Sequence, residues 1–103
     1  MRDAGALGPQ NVRILESVQQ TGSIRASAQA MNISYTYACR LLRQAEKTFG
    51  APVTQSRAGG ACGGGSSLTR LGQNIVKRYR AIENQAARAI RMELAALKRL
   101  QKR

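Results

Sequence analysis

Most of the titratable side chains in this sequence carry a positive charge. The 103 residues hold 17 Lys+Arg against 5 Asp+Glu, a formal net charge of +12, and no histidine. Without histidine the commonest general base and metal ligand is missing. The carboxylates Asp3, Glu16, Glu46, Glu83 and Glu93 are scattered, so no spacing pairs two of them for acid–base work. Cys39 and Cys62 lack metal-ligand spacing, and two thiols without histidine cannot complete a typical zinc site. They are expected to be free thiols in a reducing compartment. These residues point away from catalysis: no enzyme activity, no metal and no cofactor is expected.

The sign of the charge suits a polyanion. Arginine supplies 13 of the 17 basic residues, and its planar fork matches phosphates and guanine edges. A domain this basic points to nucleic acid ahead of a membrane surface or mere solubility. No run approaches the ~18 apolar residues that span a bilayer, and the N-terminus lacks the apolar stretch of a signal peptide. A cytoplasmic, nucleoid-associated protein is expected, with no membrane partner. Aromatic residues are only 4% of the chain, leaving Leu, Ile, Val, Met and Ala to form the core. So small a core favours support from a second subunit.

The elements that must position these cations are helical. Residues 1–8 are small and Gly-containing, and are expected to be disordered. Pro9 suits a first helical turn; Val12, Leu15 and Val18 recur at helical spacing, and Gly22 ends the run. Ser23 is placed to cap a second helix with Ile24, Ala28 and Met31 on its stripe, and Ala26 and Ala30 are small enough to admit a crossing helix. Ser34 offers the next cap. The third helix runs through Phe49, with Ala38, Leu42, Ala45 and Phe49 inward and Thr36, Tyr37, Arg40, Arg43 and Lys47 on its other face. Gly50 and Pro52 stop it. Helix, short turn, helix with a basic, hydroxyl-rich second member fits either a DNA-reading pair or an ordinary helical hairpin.

The next segment favours DNA. Val53 to Arg57 reads as a short strand, Ala58 to Ser67 contains five glycines, and a second strand ends at Leu68. Strand, flexible tip and strand after such a pair is the layout of a wing, whose glycines would let it approach a phosphate backbone closely. A nucleotide-binding loop is a weak alternative, because the G-K-[ST] ending is absent. Thr69 can cap a final helix from Arg70 to Gln101, roughly 48 Å long at 1.5 Å per residue. Its apolar positions are Leu71, Ile75, Tyr79, Ile82, Ala86, Ile90, Leu94 and Leu97, a period of about 3.7 residues. The body is too small to cover that stripe, so Tyr79, Ile82, Ala86, Ile90, Leu94 and Leu97 are expected to form a homodimer interface.

Thr21-Gly22-Ser23-Ile24, Ile33-Ser34-Tyr35, the Gly59-Gly60…Gly63-Gly64-Gly65 tip and Leu68-Thr69-Arg70 leading into Gly72-Gln73 and Tyr79 together resemble the N-terminal DNA-binding domain of the molybdate-responsive repressor (ModE) family. The glycine tip followed by Leu68-Thr69-Arg70 is the most specific of these pieces. The resemblance covers about residues 12 to 83. It implies a mainly α winged helix-turn-helix of the LysR type, with a two-stranded glycine-tipped wing and a long C-terminal dimerisation helix. Cys39 departs from a position that is usually a bulky aromatic, and the first helix is short. The likeness does not extend to the family's molybdate-binding domain, so no molybdate is expected to bind this chain.

Carried over by position, Ser34, Tyr35, Thr36, Tyr37 and Arg40 match the N-terminal half of a recognition helix, with Arg43 further along its outer face. Arg40 is the first choice for a guanine contact. Ser23 and Arg25 would hold a phosphate at the second helix's N-terminus, and Arg57 and Arg70 would grip the backbone beside the wing. The organisation expected is a DNA-binding domain over 9–85 and a dimerising helical extension over 86–103. The function expected is a sequence-specific transcriptional regulator binding double-stranded DNA as a homodimer. The alternatives are a low-specificity architectural DNA-binding protein and a basic module docking on a partner protein.

Overall fold

A computed structural model describes residues 7–57 and 65–101. Helix α1 spans Pro9–Thr21, α2 Ile24–Ala30 and α3 Tyr35–Phe49; strands β1 (Thr54–Ser56) and β2 (Ser66–Leu68) follow, then α4 (Arg70–Arg99). The order is that of a mainly α winged helix-turn-helix. Residues 1–6 lie outside the described residues. Of the rest of the expected disordered start, Leu7 packs against the core and the Gly8 N–H donates to the Asn11 side chain at 2.8 Å.

Three helices begin where a short hydroxyl can accept from free N–H groups, and α1 begins at Pro9, which has no N–H to leave unpaired. Ser23 Oγ accepts from the Ala26 N–H at 3.0 Å, Ser34 Oγ from Tyr37 at 3.0 Å, and Thr69 Oγ1 from Gly72 at 3.1 Å. Gly22 and Gly50 close α1 and α3 in the left-handed region, at φ 75° and 76°. Asn32 turns the chain between α2 and α3 at φ 57°, a conformation asparagine tolerates better than most side-chained residues.

The core lies where α1 is enclosed by α2, α3, β2 and the start of α4. Val12, Leu15, Val18, Ala28, Ala38, Leu42, Ala45 and Ile75 are buried, as their spacing implied, and Ile14, Leu41, Val53 and Val76 join them. Ala26 is half-buried, whereas Ala30 is exposed and admits no crossing helix; fully buried Ser27 takes the close position on α2. The two strands pair antiparallel, Thr54 opposite Leu68 and Ser56 opposite Ser66. They are three residues each, shorter than the expected Val53 to Arg57, because Val53 turns fully into the core.

Two glycines allow this body to close. A Cβ at Gly72 would collide with the Val53 carbonyl oxygen, so α4 meets the start of the wing only because Gly72 has none. Thr69 seals the same junction, its N–H donating to Val53 O at 3.0 Å and its hydroxyl to Pro52 O at 2.8 Å. At the wing's other end the Ser66 N–H donates to Gly22 O at 2.7 Å. A Cβ at Gly65 would occupy the place of that oxygen.

Helix α4 leaves the body after about three turns. Its early inner face (Gly72, Ile75, Val76) is buried, and from Ala81 onward every residue except half-buried Ala96 is exposed. The helix ends at Arg99, two residues before the expected Gln101. It draws the molecule out to 68 × 29 × 22 Å. Where it departs, Arg80 pairs with Glu16 of α1 and with Glu83 one turn along. No helix among the described residues is long and apolar enough to cross a membrane.

Candidate nucleic-acid interface

One face of α3 stays clear of the core. Its buried stripe of Ala38, Leu41, Leu42 and Ala45 seats it on α1, and Thr36, Arg40, Arg43 and Lys47 stand exposed on the other side at helical spacing. Arg40, Arg43, Gln44, Glu46 and Lys47 line a cleft along that face. Glu46, the one acid there, is engaged at the far end, accepting from the Val53 N–H at 3.0 Å. The exposed cations and hydroxyl can donate to phosphate oxygens or to acceptors on base edges.

The N-terminal turn of α3 is organised differently. Tyr35 is 45% exposed, and the Arg25 guanidinium sits 4.7 Å above its ring centroid. This cation–π contact joins the start of α2 to the start of α3 and holds Arg25 at the surface. Tyr37 turns back: it is half-buried, and its hydroxyl donates to Gln10 Oε1 at 2.8 Å. Ser23 and Ser34 spend their hydroxyl acceptors on their own helix ends. Arg25 and Tyr35 are thus exposed together where α2 and α3 begin, and Thr36, Arg40 and Arg43 are exposed along α3, while Ser23, Ser34 and Tyr37 fix the helices that carry them.

Arg57 stands where the wing meets the turn between α1 and α2. Its N–H donates to Gly65 O at 2.9 Å, and its guanidinium lies against Gly22. Arg70 is exposed in the first turn of α4, just past β2. The expected glycine tip at residues 59, 60, 63 and 64 lies outside the described residues. Tyr79 is half-buried against the body, and Ile82, Ala86, Ile90, Leu94 and Leu97 are exposed along α4.

Sequence reasoning missed the contacts that hold this surface in place. Buried Asn11 donates through Nδ2 to Leu41 O at 2.8 Å and to Gln44 Oε1 at 3.1 Å, tying α3 to α1. A polar residue beside Val12 in an otherwise amphipathic helix was the available signal. The Glu16–Arg80 pair spans 64 positions and leaves no local mark in the sequence.

The model for bacterial regulatory helix-turn-helix proteins of the lysR family matches residues 9–73, from the first turn of α1 into α4. Among curated proteins, the chain is similar to the molybdenum-pterin-binding protein MopB of Rhodobacter capsulatus, 33% identical over 89 residues, covering 86% of this chain and 33% of MopB. It is also 36% identical over 78 residues to the molybdenum transport protein ModE of Azotobacter vinelandii, covering 76% of this chain and 29% of that protein. The chain thus spans about a third of the length of these relatives. Among solved structures, it superposes on the CbnR DNA-binding domain in complex with DNA with a TM-score of 0.66 at 20% identity, covering 85% of this chain and 95% of that one. Full-length LysG of Corynebacterium glutamicum gives 0.65 at 18% identity, over 88% of this chain and 30% of LysG. The helix-turn-helix match takes in α1, α2, α3 and both strands, and the likeness in fold extends over the same body: the chain belongs to the lysR family of bacterial regulatory helix-turn-helix proteins.

Proposed function

We propose that this chain is the DNA-binding part of a transcriptional regulator, that it reads duplex sequence through α3, and that it acts on chromosomal DNA in the cytoplasm as a homodimer. The observation that carries the reading is the exposed row Thr36, Arg40, Arg43 and Lys47 on a helix whose opposite face is locked into the core. In this reading Arg40 and Thr36 reach base edges. Arg25, Arg43, Arg57 and Arg70 hold phosphates around them, Tyr35 supports Arg25, and Ser23, Ser34 and Tyr37 position the two helices. The dimer forms through Tyr79, Ile82, Ala86, Ile90, Leu94 and Leu97. Two-fold symmetry then sets two recognition helices about 34 Å apart, one turn of the duplex. The reading assigns this chain no molybdate ligand; the molybdenum in the relatives' names is said of those proteins.

A binding-site selection from random duplexes, followed by titration of the selected site at several salt concentrations, tests this. A symmetric consensus bound far more tightly than random DNA supports the regulator. Salt-dependent binding without preference would leave the architectural alternative, which the charge of +12 alone would satisfy.

A further inference from the structure

Five cations of α4 form one band along the helix. Lys77, Arg88, Arg91, Lys98 and Arg99 are exposed, and none of them makes a salt bridge among the described residues. Positions 77, 80, 84, 88, 91, 95 and 98 follow one another in steps of three and four, so their side chains share a face. Arg80, on the same face, is already engaged by Glu16 and Glu83. Glu93, the other acid of the helix, stands among Ala89, Ile90, Ala96 and Leu97 on the apolar side. Arg88, midway along, is two positions from both Ala86 and Ile90, which puts it across the helix from them. Whatever covers the apolar stripe therefore leaves the band open.

The band is separate from the outer face of α3. Both helices pack on α1, and a hollow lined by Phe49, Leu71 and Tyr79 lies between them. From Ala81 onward α4 has left the body, so Arg88 to Arg99 stand clear of α3. The composition of the band decides its partner. A protein interface is anchored by aromatic and apolar side chains at its centre. Here the uncharged positions are Ala81, Asn84 and Ala95, with Met92 at the edge. A phosphate backbone needs only cations and amides. Lys77 and Lys98 are roughly 32 Å apart along the helix at 1.5 Å per residue, close to the ~34 Å of one duplex turn.

We propose that this band binds the phosphate backbone of a second duplex segment while α3 holds the first. The proposal rests on the DNA reading above for the first segment. Arg70, beside the wing, stays with that first segment, and the band begins one face further along α4 at Lys77. Its contacts are to phosphates alone, so the second segment is taken whatever its sequence and more weakly as salt rises. A regulator seated on its site would thus gather a neighbouring stretch of duplex against the helix that leaves the body.

Duplex capture tests this. A duplex carrying the selected site is fixed to beads and loaded with the full chain, and a labelled random duplex is then added. The loaded beads should capture it. Combining Arg88→Ala, Arg91→Ala, Lys98→Ala and Arg99→Ala should lower capture by roughly tenfold or more, and leave affinity for a short duplex with the site alone within about threefold. Alanine suits a helix, so these exposed changes keep α4 formed. Matched charge removal separates place from sum. Arg88→Ala with Arg91→Ala should reduce capture, whereas Arg13→Ala with Arg78→Ala, exposed and off the band, should preserve it. Equal losses in the two pairs would reduce capture to bulk charge and overturn the band. Loaded beads that capture nothing, or capture equally well with the fourfold variant, would overturn the proposal and leave the DNA reading standing. A chain that never loads onto the first duplex would overturn that reading and the proposal with it.

Discussion

Asn11 and Leu41 are joined by a buried hydrogen bond, the side-chain amide of α1 donating at 2.8 Å to a main-chain carbonyl inside α3. Asn11 is 4% exposed and uses both ends of its amide, accepting from Gly8 and donating to Leu41 and Gln44. The angle at which α3 presents its outer face is set partly by this bond. Asn11→Leu keeps much of the volume and strands the Gly8 N–H without its acceptor. It should cost about 1–3 kcal/mol in urea unfolding and lower affinity for the selected site. Unchanged stability would show that the amide is dispensable.

Gly72→Ala should be at least as damaging. The added methyl meets the Val53 carbonyl, which is backbone and already accepts from Thr69. Overpacking of this kind costs about 1–3 kcal/mol, so thermal unfolding should shift down clearly. Gly50→Ala meets no neighbour, but its φ of 76° carries strain of about 1–2 kcal/mol from conformation alone. A harmless Gly72→Ala would mean that α4 can slide away from the wing.

Base reading and phosphate grip should separate by position. Arg40→Ala is expected to cost roughly 1–3 kcal/mol on the selected site and to relax preference at one base pair, whereas Arg70→Ala should weaken all sequences alike and flatten the salt slope by about one unit. Anisotropy titrations on specific and random duplexes measure both. Equal losses on the two duplexes for Arg40→Ala would remove it from base reading.

The Glu16–Arg80–Glu83 network should contribute little to stability. Arg80 and Glu83 are more than a third exposed, where water screens the attraction, and a pair of this kind is worth about 0–1 kcal/mol. A Glu16→Ala, Arg80→Ala double-mutant cycle at low and high salt measures it. Coupling well above that range, insensitive to salt, would mark the pair as a structural lock.

Substitution on the uncovered stripe should change assembly and leave folding intact. Ile90→Asp with Leu97→Asp touches residues that are 58% and 62% exposed. The body should unfold as before, while sedimentation shows dimer converted to monomer. A dimer indifferent to both changes would have to use another surface.

The element order was legible because its punctuation is local. Ser23, Ser34 and Thr69 can bond the N–H groups three residues on wherever they stand, and Gly22 and Gly50 reach the left-handed region without a Cβ to hinder them. The width of the core was less legible. Val12, Leu15 and Val18 mark one stripe, but α1 is surrounded by three helices and a strand, so Ile14 and Asn11 are buried on its flanks as well. At the candidate interface, residue types suggested the exposed row on α3. They did not reveal that Tyr37 is turned back to Gln10, which depends on contacts 27 residues apart.

The hydrogen bond from Ser66 to Gly22 runs from backbone to backbone across the gap between the wing and the turn before α2. Side-chain evolution at either residue leaves its donor and acceptor in place, provided Gly65 stays small enough to let them meet. The base of the wing and the helices beside it therefore form one caliper of fixed opening. In the proposed complex, a duplex whose grooves do not match that opening must bend or change width to fit. The energy of that deformation falls on the nucleic acid and varies with the stiffness of its base steps. Discrimination among sequences would then extend to base pairs that no side chain touches.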